Sequence, residues 1–69
     1  MIIFKTNVQN IAQAKPVLVS LKKIFSKAKI NFDLNDCDKI LRVAGIRKAS
    51  SQTIINDLNK LGFVCEILN

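Results

Sequence analysis

Lys5-Thr6-Asn7-Val8-Gln9-Asn10-Ile11-Ala12-Gln13 is the stretch on which the reading of the fold turns. Upstream, Ile2 to Thr6 alternates loosely between apolar and polar residues and predicts a strand. Downstream, Ala14, Val17, Leu18, Leu21, Ile24 and Phe25 recur at three- and four-residue spacing. That period predicts a helix from about Ile11 to Lys27 with one face on the core, leaving Lys15, Lys22, Lys23 and Lys27 in solvent. Asn10 is placed to cap it by accepting a backbone N–H. Pro16 lacks an N–H and is expected within the first turn, which moves the start of the regular helix to about Ala12 or later.

The remaining segments follow the same logic. Ile30-Asn31-Phe32-Asp33-Leu34 alternates and predicts a half-buried strand. Asn35-Asp36-Cys37-Asp38 is rich in turn formers, and Lys39 to Val43 reads as the returning strand of a hairpin. Ser50 or Ser51 is expected to cap a second helix whose stripe is Ile54, Ile55, Leu58 and Leu61. Gly62 stands where a left-handed residue ends a helix. Phe63 to Leu68 predicts a last strand. The order is βαββαβ, an α+β chain of one domain, residues 1–69, with both helices on one face of a four-stranded antiparallel sheet: the ferredoxin-like arrangement. Phe4, Val17, Leu21, Phe32, Leu41, Ile54, Leu58 and Phe63 are expected to be buried.

The opening stretch resembles the metal loop of heavy-metal-associated domains, the copper-chaperone-like family, which reads roughly Lys-Thr-Asn-Ile-x-Cys-x-x-Cys. Phe32-Asp33-Leu34, Asp38-Lys39-Ile40-Leu41-Arg42-Val43 and Gly62-Phe63 resemble later family segments, in order, so the likeness covers nearly the whole chain. The family's two cysteine positions fall on Asn10 and Gln13. Two thiolates three residues apart suit Cu(I) and Zn(II), whereas neutral amides suit such soft ions poorly. Asn10 is instead expected to cap the helix and Gln13 to be a solvated first-turn residue. The resemblance implies a non-enzymatic docking or regulatory module of metal-homeostasis lineage, without a cofactor and with weak or no soft-metal binding. It implies docking through Val8, Gln9, Asn10, Gln13, Lys15 and Phe63 on an acidic protein domain such as that of a metal-transporting ATPase. The alternatives are a protein-interaction domain with no link to metals and a basic nucleic-acid module.

Cys65 shares a strand face with Phe63 and Ile67 and reads as a small core residue, an accessory metal ligand being the lesser reading. The Asn35–Asp38 turn is expected at the end of the sheet opposite the Val8–Gln13 loop, which would keep Cys37 out of a site there. Asp36 and Asp38 flank Cys37, but acidic turn residues usually serve the turn. The chain has 69 residues and a formal net charge of +6, which favours acidic partners of any kind. Without histidine, a glycine-rich phosphate loop or a nucleophile–base pair, no enzyme is expected. RNA-recognition domains of this topology stack bases on aromatics of their central strands, and Lys39 to Val43 has none, which counts against nucleic acid. No apolar run reaches the ~20 residues of a membrane span. With no signal peptide visible, a cytoplasmic monomer with reduced thiols is expected.

Overall fold

The computed structural model describes residues 1–68. Strands β1 (Ile2–Thr6), β2 (Lys29–Asp33), β3 (Ile40–Ala44) and β4 (Cys65–Leu68) form one sheet in the order β2-β3-β1-β4, and every neighbouring pair is antiparallel. Helix α1 (Ile11–Ile24) joins β1 to β2, and a short 3-10 turn (Lys48–Ser50) leads into α2 (Ser51–Lys60). The expected α+β, βαββαβ architecture is therefore present.

The register explains which face is covered. Phe4 lies opposite Leu41 and Ile67, Ile2 opposite Val43, and Thr6 opposite Cys65, so these side chains point to one side. Val17 and Leu21 of α1 and Ile54 and Leu58 of α2 join Phe4, Leu41, Val43 and Cys65 in one core cluster. Both helices thus pack on the same sheet face, and the Ser20 hydroxyl of α1 donates to Asp57 Oδ1 of α2 at 2.9 Å. Six of the eight expected core residues are fully buried. Phe32 and Phe63 are partly buried at its margin.

Several local expectations are corrected. Helix α1 begins at Ile11, and Pro16 sits in its second turn. The backbone bond that Pro16 cannot donate would have gone to the Ala12 carbonyl, and both residues are exposed, so that carbonyl is on the solvent side of the helix. Helix α1 ends at Ile24 instead of Lys27, and the Phe25 N–H bonds back to the Leu21 carbonyl. The chain then folds inward to bury Ala28, and this leaves Ile24 outside the core at 47% exposure. Neither Ser50 nor Ser51 caps α2. Ser50 already has helical backbone angles, so its side chain does not reach the first free N–H groups, and the Ser51 hydroxyl donates to the Lys48 carbonyl at 2.6 Å. At the other end of α2, Gly62 has φ 92°, Phe63 N–H bonds to the Leu58 carbonyl and Gly62 N–H to that of Asn59. This is the paired-bond helix stop that the glycine foretold. The turn leaves Leu61 exposed instead of on the core stripe.

The largest correction concerns the Asn35–Asp38 turn. It lies beside the β1–α1 loop, not at the far end: Thr6 N–H donates to the Asp38 carbonyl at 3.3 Å. The cause is topological. Chain direction alternates through β1, α1, β2, β3, α2 and β4, so the β1–α1 loop, the β2–β3 turn and the α2–β4 turn all emerge at one end.

Candidate functional site: the loop end

Thr6 is the hub of this end. It is buried, and its hydroxyl donates to the Lys39 carbonyl at 2.7 Å while accepting the Val8 N–H at 3.3 Å. A strand end, a hairpin turn and the start of the β1–α1 loop are thereby tied at one side chain. Lys39 takes a left-handed conformation, φ 50°, with its N–H bonded to the Asp36 carbonyl and its ammonium to the Leu34 carbonyl. A non-glycine residue held there carries strain of about 1 kcal/mol or more, which the surrounding bonds must offset. The third loop is fastened by Asn7, whose Oδ1 accepts the Val64 N–H at 2.8 Å and whose own N–H donates to the Val64 carbonyl at 3.3 Å.

Asn10 and Gln13, the positions where the resemblance would set cysteines, face each other in a helix cap. Asn10 Oδ1 accepts the Gln13 N–H at 2.9 Å, and Gln13 Oε1 accepts the Gln9 N–H at 2.8 Å. This is the reciprocal logic of a capping box, displaced by one residue. Asn10 thus caps as expected, while Gln13 does more than meet solvent. Both amide oxygens, the groups that would have to ligate an ion, are committed to backbone donors.

Val8, expected to meet a partner, is fully buried and anchors the loop from beneath. With no surface left to offer, it cannot itself meet a partner. Gln9, Asn10 and Lys15 are exposed, and Gln13 and Phe63 are half-buried. The residues missed by sequence reading are Ile11, Leu61 and Val64, which present 61%, 40% and 63% of their surface. Their signal was an apolar residue directly after a cap or flanking a helix-stop glycine, outside the core stripe. A shallow cleft of about 320 Å³ runs beside Ile11 along Phe32 to Asn35, and one of about 190 Å³ is lined by Lys5, Thr6, Asn7, Val64 and Glu66.

The thiols divide sharply. Cys37 is exposed on the β2–β3 turn. The donor atoms of Asp36, Cys37 and Asp38 lie within 4.8 Å of one another. Asp36 Oδ1, however, accepts the Asp38 N–H at 2.9 Å, and Asp38 Oδ1 is 3.9 Å from Lys5 Nζ, so both carboxylates serve the turn and its neighbour. Cys65 is 6% exposed within the core, and burial, aided by the Glu66 charge, pushes its thiol up to about 12. It is protonated at neutral pH and offers no thiolate. Asn10, Gln13 and Cys65 therefore do not supply the pair of thiolates that a soft ion prefers, and Cys37 is a single exposed thiol.

A thiol reagent should modify Cys37 rapidly and leave Cys65 until the protein unfolds, giving one fast equivalent by absorbance. Two equally fast equivalents would contradict the burial of Cys65. The raised thiol also sets a sign: stability contributed by keeping Cys65 neutral is intact below about pH 9 and is lost as pH rises toward 12.

The uncovered sheet face carries Ile3, Lys5, Ile40, Arg42 and Glu66 on its central and β4 strands, so bases would find no aromatic platform there. Among the described residues, no helix is long and apolar enough to cross a membrane. No family model matches the chain, and no curated protein or solved structure does.

Proposed function

We propose that the chain is a non-catalytic docking module whose loop end meets a folded protein domain, in a lineage that once handled metal. One observation carries the docking reading. Three loops are hydrogen-bonded into a single firm surface that nevertheless exposes Ile11, Leu61 and Val64. Fastening a surface in advance lowers the ordering cost of association. Exposed apolar residues at this end and lysines on the same elements, Lys15 on α1 and Lys60 at the end of α2, fit a partner with an apolar patch bordered by carboxylates. A cytoplasmic domain of a metal-transporting ATPase is the partner that the sequence resemblance favours.

The metal role in this reading is ancestral. Asn10 and Gln13 hold the helix start as amides, so the shape of the loop persists for docking while ion transfer does not. Isotope-labelled chain titrated with such an ATPase domain should show amide shifts at Gln9, Ile11, Gln13, Leu61 and Val64. Shifts confined to the opposite end would refute the assigned surface. Binding at the loop end by a partner unconnected with metals, and none by the ATPase domain, would favour the plain protein-interaction reading.

A further inference from the structure

The positive charge of this chain is not spread over the molecule. The end opposite the loop surface is built from the last turn of α1, the connection into β2 and the connection from β3 into α2. Gly45 turns the chain after β3 at φ 85°, a conformation that favours glycine, and brings it into ordinary contact with Ala28 of the other connection. Six exposed cations gather on this pole: Lys22, Lys23, Lys27, Lys29, Arg47 and Lys48. Lys29 lies opposite Ala44 at the close of the β2–β3 ladder, which fixes its place there.

The carboxylates are elsewhere. Asp33 lies opposite Ile40 and Glu66 opposite Lys5, both toward the loop end, where Asp36 and Asp38 form the turn. Asp57 is held between the helices by Ser20. The chain has 11 basic and 5 acidic side chains, so the cations outside the pole match the acids in number. The formal charge of +6 therefore resides at one end. Like charges brought this close repel, and the fold gains nothing from the arrangement by itself.

We propose that this pole seats the domain on the surface of an anionic phospholipid bilayer, with the loop end directed away from it. Three features favour lipid over a nucleic-acid backbone. Five of the six cations are lysines, compact point charges on long stems, and the pole has a single planar arginine fork for bidentate recognition of phosphate or base edges. The pole exposes aliphatic groups, Ile24 in the last turn of α1 and Met1 ahead of β1, which can enter the headgroup boundary. The exposed large apolar residues of the described chain include no aromatic ring on which a base would stack. Lysine stems lie along apolar surface while their ammonium groups reach phosphate. The inference is independent of the docking reading, since it concerns the other end of the molecule.

The test is co-sedimentation at low salt with vesicles of equal parts phosphatidylglycerol and phosphatidylcholine, against vesicles of phosphatidylcholine alone. The chain should bind the first and not the second, and added salt should release it. The triple variant Lys23→Gln, Lys27→Gln, Lys48→Gln should bind roughly a hundredfold more weakly. Lys22 is left intact because its ammonium donates to the Ala28 carbonyl at 2.7 Å. Lys60→Gln, at the other end, should bind as the parent does. Ile24→Ser should weaken vesicle binding and leave contact with a single-stranded oligonucleotide unchanged. All substituted side chains are exposed, so thermal unfolding should match the parent. Equal binding to neutral vesicles, or a triple variant that binds like the parent, overturns the proposal. So does an oligonucleotide held more tightly than the anionic vesicles through the same three lysines.

Discussion

Leu21→Ala should lower the free energy of unfolding by about 2–5 kcal/mol. Leu21 is fully buried in the cluster that includes Phe4, Leu41, Ile54 and Leu58, and these neighbours come from the other helix and both central strands. Truncation removes the transfer energy of the side chain and leaves a space that four different elements border, so collapse into it is limited. Domains are stable by about 0.05–0.15 kcal/mol per residue, so in a chain this short the loss is a large share of the total. Urea unfolding of the variant beside Ile24→Ala makes the comparison internal, because Ile24 lies on the same helix outside the core. A loss under about half a kcal/mol at Leu21 would contradict the packing described.

The double substitution Asn10→Cys with Gln13→Cys should turn the helix cap into a site for Cu(I) or Zn(II). Two thiolates at that spacing supply the softness and negative charge that the amides lack, and a helix start favours the thiolate form. Without metal, the variant should be less stable by about 1–2 kcal/mol, because the bonds to the Gln13 and Gln9 N–H groups are lost. Asn10 is exposed and Gln13 half-buried, yet their cost is that of a cap and not of an idle surface. Metal should restore and exceed the lost stability, since binding energy at such a site is folding energy. Competition with a Cu(I) chelator should show tight stoichiometric uptake by the double variant, far less by either single variant, and none by the parent. A folded double variant that binds no better than the parent would mean that the loop has drifted with its ligands. The lineage part of the proposed function would then fail, while the docking surface would stand.

Periodic segments were the legible part of this chain. Ala14, Val17 and Leu21 on α1, and Ile54 and Leu58 on α2, repeat at helical spacing because one stripe must reach the core, and they are buried accordingly. Gly62 was legible because few residues other than glycine tolerate φ 92° after a helix. The stripes fail at their ends. Ile24 and Leu61 keep the spacing but lie where the chain turns away, and spacing carries no information about where a helix stops. Ser50 was misread because a preceding 3-10 turn sets its backbone angles before its hydroxyl can act. The site was less legible still. Thr6 joins residues 33 apart in the chain, and such a bond depends on register and on which loops share an end. Once the alternation of chain direction is followed through every element, the Asn35–Asp38 turn falls beside Thr6 without any side-chain detail.

Pro16 divides α1 into two unequal parts. With no donor to offer Ala12, it breaks the ladder between the opening turn and the longer remainder that holds Val17 and Leu21. The opening turn is secured mainly by the Asn10–Gln13 exchange and by the Ala14 N–H to the Asn10 carbonyl. Buried Ala14 ties this turn to the core, but the missing bond makes it the part of α1 that opens first. A partner gripping Ile11 would hold the one turn of α1 whose ladder lacks a rung, so in a surface fastened at its base that edge yields before the rest.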